Sequence, residues 1–304
     1  MENKLKENAA LPGSCSKGVD PCLESLNGEA ANGQSLTQTA ATGKIEETIM
    51  RMLSDYRMNA FAQCLRQQLN DPAWSFQPFL RRLLTCLEAE QLVRKERGAE
   101  RRFKSAGLPR GTYSLKQFDF APGRDITQPA LEEIVECRWI AKREPHQRRD
   151  SRRNGKSIAI TGATGCGKSF LAMVISSETI ERGFNVKYWS LGELVEKLSG
   201  AEKKSEALRK INEADLLTID DFGLSTLTAQ EQAIVYDLIR SRADNLSTII
   251  VSQRPCKEWY EWLGGKYIAD GVADRVLNFY YLIDLKGDSR RALARQHPKE
   301  AAAP

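Results

Sequence analysis

Ser157-Ile158-Ala159-Ile160-Thr161-Gly162-Ala163-Thr164-Gly165-Cys166-Gly167-Lys168-Ser169-Phe170-Leu171-Ala172 decides the fold of this chain. Its first residues form a short, largely apolar run of the kind that makes a strand buried on both faces, and Phe170-Leu171-Ala172 begins an apolar helix. Between them, Gly162 through Ser169 fits G-x-x-x-x-G-K-[ST] in full. Glycines let successive backbone N–H groups curl round a phosphate, and the N-terminus of the following helix adds the positive end of its dipole. Lys168 then supplies a positive charge to the β/γ oxygens, and the Ser169 hydroxyl is placed to ligate Mg2+. Gly162, Ala163, Thr164, Gly165, Cys166 and Gly167 complete the expected cradle, with Cys166 read as a small filler residue rather than a redox group. The stretch implies a strand-loop-helix unit that binds a nucleotide with Mg2+.

About fifty residues further on, Leu216-Leu217-Thr218-Ile219 runs into Asp220-Asp221-Phe222-Gly223. Open α/β sheets bind ligands outside the carboxyl ends of their strands, so a buried strand ending in carboxylates is a candidate half of the same site. Asp220 is expected to hold Mg2+ through its water shell and Asp221 to polarise an attacking water. A further strand, Ser247 to Ser252, ends in Gln253-Arg254-Pro255, where the Gln253 amide can reach a γ-phosphate or its water. Arg275 and Arg291 follow well after this core. Either is a solvated charge or an arginine of the kind that completes a neighbouring subunit's site. No N-K-x-D guanine motif is present, which favours ATP over GTP.

Working outward, strands at 157–161, 184–189, 215–220, 247–252 and 279–285 alternate with helices at 168–182, 191–198 and 228–242. That order predicts an α/β fold, a three-layer αβα core with a mainly parallel sheet. Leu198-Ser199-Gly200-Ala201 reads as a helix end with Gly200 as its cap. A helix from Leu131 to about Ile140 precedes the core. Upstream, Ile45, Ile49, Leu53 and Tyr56, then Met58, Phe61, Leu65 and Leu69, then Phe79, Leu80, Leu83, Leu84, Leu87 and Leu92 recur at helical spacing. The organisation expected is a disordered extension over 1–42, a small all-α domain over 43–105 that contacts DNA or a partner, a linker over 106–125, the ATPase core over 126–295 and a tail over 296–304. Trp74, Phe76 and Phe79 are read as core residues of the helical domain, with base stacking as the alternative.

Composition excludes several classes. The N-terminal residues lack the apolar core of a secretory signal, and no apolar run is long enough to span a bilayer. Seven scattered cysteines and two histidines, with no C-x-x-C, give a zinc site nothing to stand on, and reduced thiols in the cytoplasm are expected. Lys and Arg number 45 against 40 Asp and Glu, a net charge of +5. The excess is concentrated: residues 138–156 carry eight basic and two acidic residues, and residues 88–104 carry six and four. Such runs are either solvated faces or contacts to the phosphate backbone of DNA, which is sequence-tolerant and salt-sensitive.

The order of segments resembles the IstB/DnaC group of AAA+ ATPases, and within it the helper ATPases of insertion-sequence transposition. The resemblance runs from about residue 45 to 292 and rests on Ala106-Gly107-Leu108-Pro109, Leu115-Lys116-Gln117-Phe118-Asp119-Phe120, the phosphate loop and Asp220-Asp221-Phe222-Gly223. The tail segments Ser252 to Trp259, Ala273 to Val276 and Leu285 to Arg291 complete it. It implies an ATP-dependent homo-oligomer that binds DNA, is not membrane-bound, and delivers target DNA to a cognate transposase. DnaC-like relatives instead load a replicative helicase, and a nucleotide-gated scaffold with negligible hydrolysis is a third reading. By the same resemblance Gln253 takes the place of a γ-phosphate sensor, usually Asn. Arg275 becomes an arginine finger acting in trans, and Arg291 a second sensor. Asp221 stands where many relatives have Glu, which implies slow basal hydrolysis.

Overall fold

The computed structural model describes residues 34–120, 124–141, 155–243, 245–264 and 279–287. The chain divides into two compact units, residues 1–90 and 91–304. In the first, α1 (Gln34–Asp55) and α2 (Asn59–Asn70) are followed by a 3-10 turn at Pro72–Phe76 and the start of α3 (Phe79–Ala106). α1 therefore starts before the Gly43 boundary read from sequence. Gly43 costs a helix only about 1 kcal/mol, and around it lies open space, so nothing forces a stop there. Asp71 caps the 3-10 turn by accepting from the Ala73 amide at 2.9 Å, with Pro72 inside its first turn. Met58 offers α2 no side-chain cap; instead Glu90 Oε2 accepts from the Ala60 and Phe61 amides at 3.0 and 3.2 Å. Met50, Phe61 and Cys86 are buried. Phe76, at the end of the 3-10 turn, and Phe79, at the start of α3, are 88% and 73% exposed, contrary to the core reading, whereas Trp74 is half-buried.

The boundary between the units falls within α3, at Glu90/Gln91, rather than at the linker. Packing explains this: in the last turns of α3, Ala106 is fully buried, Phe103 packs on the core of the second unit, and Arg102 Nε donates to the Ile180 carbonyl at 3.3 Å. Gly107, at φ +76°, ends the helix in the left-handed conformation usual after a C-cap.

The second unit carries a five-stranded, all-parallel sheet in the order β2-β3-β4-β1-β5. Its strands are β1 (Ser157–Gly162), β2 (Val186–Ser190), β3 (Leu216–Phe222), β4 (Ser247–Ser252) and β5 (Phe279–Leu285). α4 (Gln128–Val135) precedes β1, and between the strands run α5 (Lys168–Glu181), α6 (Leu191–Ser199), α7 (Lys204–Ile211), α8 (Ala229–Arg242) and α9 (Trp259–Trp262). Side chains alternate between the two faces, as the pleat requires. Ile158, Ile160, Leu216, Ile249 and Val251 join α4 and α5 in one core layer. Ala159, Leu217, Ile219 and Ile250 join α6 and α8 in the other. Both faces being covered explains the near-continuous apolar strands. The sequence reading takes α4 on to about Ile140; it stops at Val135, and Cys137 at φ +61° turns the chain away. α6 begins with a reciprocal Ser190/Glu193 capping box, and Gly200 is its C-cap.

Candidate functional site

β1 lies between β4 and β5, so its crossover to β2 passes over two strands. Such a reversal of strand order opens a crevice at the carboxyl edge, where open α/β sheets take their ligands. Gly162 to Gly167 fills that edge. Gly162 has φ +139°, and a Cβ there would press into the Leu285 carbonyl of β5. Gly167, the N-cap of α5, has φ +97°, and a Cβ would lie 2.8 Å from Arg124 Nη2. The loop thus reaches its shape only with glycine at both ends. Lys168 is buried, and its Nζ donates to the Ala163 carbonyl at 2.7 Å. Cys166 is also buried, within 3.9 Å of that Nζ.

β3 meets the loop from the side. Asp220, 8% exposed, accepts at Oδ1 from Ser169 Oγ at 3.2 Å and from the Asp221 amide at 2.9 Å. Its Oδ2 accepts from the Tyr188 hydroxyl at 2.5 Å. Burial first, and the Asp220 charge second, push the Tyr188 phenol well above its ordinary range, so it remains a donor. The β3–β4 register slips at this point: Ile219 faces Ile250, yet Phe222 faces Ser252, leaving one extra residue on β3. A bulge of this kind re-aims side chains beside a site. Here it leaves Asp221 exposed with φ +55°, a left-handed conformation that short Asp and Asn side chains tolerate best.

β4 completes the edge. Gln253 Oε1 accepts from the Thr164 hydroxyl at 2.8 Å, tying the strand end to the phosphate loop. Ser252 Oγ donates to the Phe222 carbonyl, and Arg254 Nε to the Gly223 carbonyl, each at 2.7 Å. The cleft these elements enclose is about 660 Å3 and includes Thr164, Lys168, Ser169, Asp220, Asp221 and Gln253 in its wall. That is the size range of small-molecule and cofactor sites. A cleft of about 720 Å3 at the β2 edge is larger, but there Lys210 is paired to Glu206 at 3.1 Å and no phosphate loop enters it.

The donors suit Mg2+. A hydroxyl and a carboxylate are hard oxygen ligands, and among the described residues no group of three or more His, Cys, Asp or Glu forms a complete protein cage. Mg2+ characteristically takes one or two protein ligands and fills its octahedron with phosphate and water.

The structure therefore brings Gly162 to Ser169, Asp220, Asp221 and Gln253 to one edge. Arg275, Arg291 and most of the basic stretch 138–156 lie outside the described residues. Two residues at this edge escape the sequence reading. Tyr188 carries a faint signal, a polar tip at a buried position of β2 beside Val186. Arg124 carries none. It is 6% exposed, with its guanidinium carbon 4.6 Å from the Phe118 ring centroid. It donates to the Asp119 carbonyl at 2.7 Å and to the Cys166 carbonyl of the phosphate loop. Burial pushes the Cys86 thiol up to about 12 and the Cys256 thiol to about 11, which makes these two poor nucleophiles. No described helix is long and apolar enough to cross a membrane.

A family model described as IstB-like ATP binding protein matches residues 50–298. The chain is 24% identical over 248 residues to the ATP-binding protein of insertion sequence IS21 from Pseudomonas aeruginosa, covering 81% of this chain and 88% of that protein. It is 26% identical over 229 residues to the ATP-binding protein of insertion sequence IS5376 from Geobacillus stearothermophilus, covering 74% and 85%. Among solved structures, that of DnaI is similar at a TM-score of 0.49 and 23% identity, covering 61% of this chain and 95% of that one.

Proposed function

Because the chain belongs to the IstB-like ATP-binding protein family, we propose that it is a Mg2+-dependent ATPase that assembles as a homo-oligomer on DNA and delivers target DNA to a cognate transposase. The observation that carries the enzymatic half is the 3.2 Å contact between Ser169 Oγ and Asp220 Oδ1, with Lys168 and Gln253 each hydrogen-bonded to the phosphate loop, at Ala163 and at Thr164. In this reading the amides of Gly162 to Ser169 wrap the phosphates, and Lys168 exchanges the Ala163 carbonyl for a β/γ oxygen. Ser169 and Asp220 would hold the metal. Mg2+ supplies charge neutralisation of the phosphate oxygens. Asp221 orients the attacking water and takes its proton as the bond from the γ-phosphorus to the ADP oxygen breaks. Gln253 donates its amide to the γ-phosphate, releasing Thr164. Arg275 reaches the γ-phosphate of a neighbouring subunit, and Arg291 contacts the nucleotide of its own.

The DNA half is supported by the naming of the relatives as insertion-sequence proteins and by the basic stretch 138–156. Contacts from such a stretch go to the phosphate backbone and carry little sequence information. Electron microscopy with ATP and duplex DNA tests the reading, with Lys168→Ala as control. Nucleotide-dependent oligomers on duplex are expected from the native chain and none from the variant, and without DNA the native chain should turn over ATP below the about 10 s−1 typical of enzymes. Absence of such assemblies overturns the proposal, and assembly confined to single strands in company with a replicative helicase replaces it with helicase loading.

A further inference from the structure

Asp220 is held by more than the phosphate loop. A carboxylate offers about four lone-pair positions, and three are occupied here: Ser169 Oγ and the Asp221 amide on Oδ1, the Tyr188 hydroxyl on Oδ2. The first two donors belong to the loop and to the bulge. The third comes from a different strand.

In the parallel ladder, Tyr188 pairs with Thr218, and Ser190 pairs with Asp220. The Tyr188 side chain therefore reaches diagonally, two residues along β3, to the carboxyl edge. That diagonal spans about 7–8 Å, within reach of an aromatic side chain and beyond a short one. Tyr188 itself has little freedom. It is 7% exposed, its backbone is held in the β2–β3 ladder, and Gly107 closes on its carbonyl so tightly that a Cβ would lie 3.0 Å away.

We propose that Tyr188 is the positioning residue of the metal site: its hydroxyl pins Asp220 Oδ2, keeps Oδ1 turned toward Ser169, and so sets the Mg2+ affinity of the nucleotide complex without touching the nucleotide. Partners that orient metal ligands from behind change metal affinity by about 10- to 100-fold when removed. The Tyr188 bond is the shortest of the three to this carboxylate, and the Asp220 side chain, once released, can turn about χ1 and χ2 away from Ser169. The inference rests on the Mg2+·ATP reading of the cleft.

The test uses the full chain and a fluorescent ATP analogue. Nucleotide affinity is measured first in EDTA, then during a titration with MgCl2, for the native chain, Tyr188→Phe, Asp220→Asn and the double variant. Tyr188→Phe should raise the half-saturating Mg2+ concentration by about tenfold and leave the EDTA affinity unchanged. The double variant should be no worse than Asp220→Asn alone, because the hydroxyl acts only through that carboxylate. The proposal is overturned by an unchanged Mg2+ titration, by an equal loss in EDTA, or by a Tyr188→Phe chain that does not fold, since the last two make the hydroxyl a packing group. A native chain that binds the analogue yet ignores Mg2+ overturns the Mg2+ reading of the cleft and this inference with it.

Discussion

Asp221 shows why a residue's backbone has to be read with its side chain. In the sequence it looks like a shortened Glu, one methylene too far from a water. In the structure it sits on a bulge with φ +55°, a region that costs most L-residues about 1–2 kcal/mol and Asp or Asn less. A longer carboxylate gains reach and loses that tolerance. Asp221→Glu is therefore expected to lower stability by about 1 kcal/mol in urea unfolding without raising ATP turnover. Asp221→Asn keeps the conformation and removes the proposed base, so its unfolding midpoint should match the native chain. Its turnover should fall at least about 100-fold. A faster Asp221→Glu enzyme of native stability would mean that the bulge does not govern this position.

At the scale of elements, the core is legible where burial is continuous. β1 and β4 begin where the apolar runs begin, and α5 and α8 fall within a residue of the spans read from periodicity. α7 is missed because Lys204 to Ile211 buries only Ile211, leaving too narrow an apolar stripe to detect. The phosphate loop and the Asp220-Asp221 pair are legible because their spacing is local. Tyr188 and Arg124 are not, because their partners, Asp220 and Cys166, are brought to them by sheet order and by a linker path. Sheet order also makes the loop depend on β5, which pairs with β1 along its whole length up to Gly162 and Leu285. Gly162→Ala places a Cβ against the Leu285 carbonyl at a φ that L-residues rarely adopt. A loss of about 1–3 kcal/mol is expected from the backbone alone, together with weakened nucleotide binding in EDTA and in Mg2+ alike. Retention of native affinity would show that the loop forms independently of the sheet edge.

For the whole molecule, the net charge of +5 is a small difference between large, unevenly placed terms. Residues 138–156 alone carry eight basic side chains against two acidic ones, so the remainder of the chain is close to neutral. That placement separates two ways of binding a polyanion. If the field of the entire protein holds DNA, removing a few charges anywhere has a similar, modest effect. If residues 138–156 track the phosphates, every arginine removed there leaves more counterions on the DNA, and the slope of log affinity against log salt shrinks by about 0.9 for each phosphate no longer neutralised. Changing Arg148, Arg149, Arg152 and Arg153 together to Ala is therefore expected to weaken duplex binding for every sequence tested and to flatten the salt dependence in proportion. Nucleotide affinity should be preserved, because the described cleft is built from other residues. The measurement is a salt series of duplex binding by fluorescence anisotropy, native against the fourfold variant, at saturating ATP. An unchanged slope would assign these arginines to a solvated face and move the DNA interface elsewhere, with the six basic residues between 88 and 104 the next segment to test.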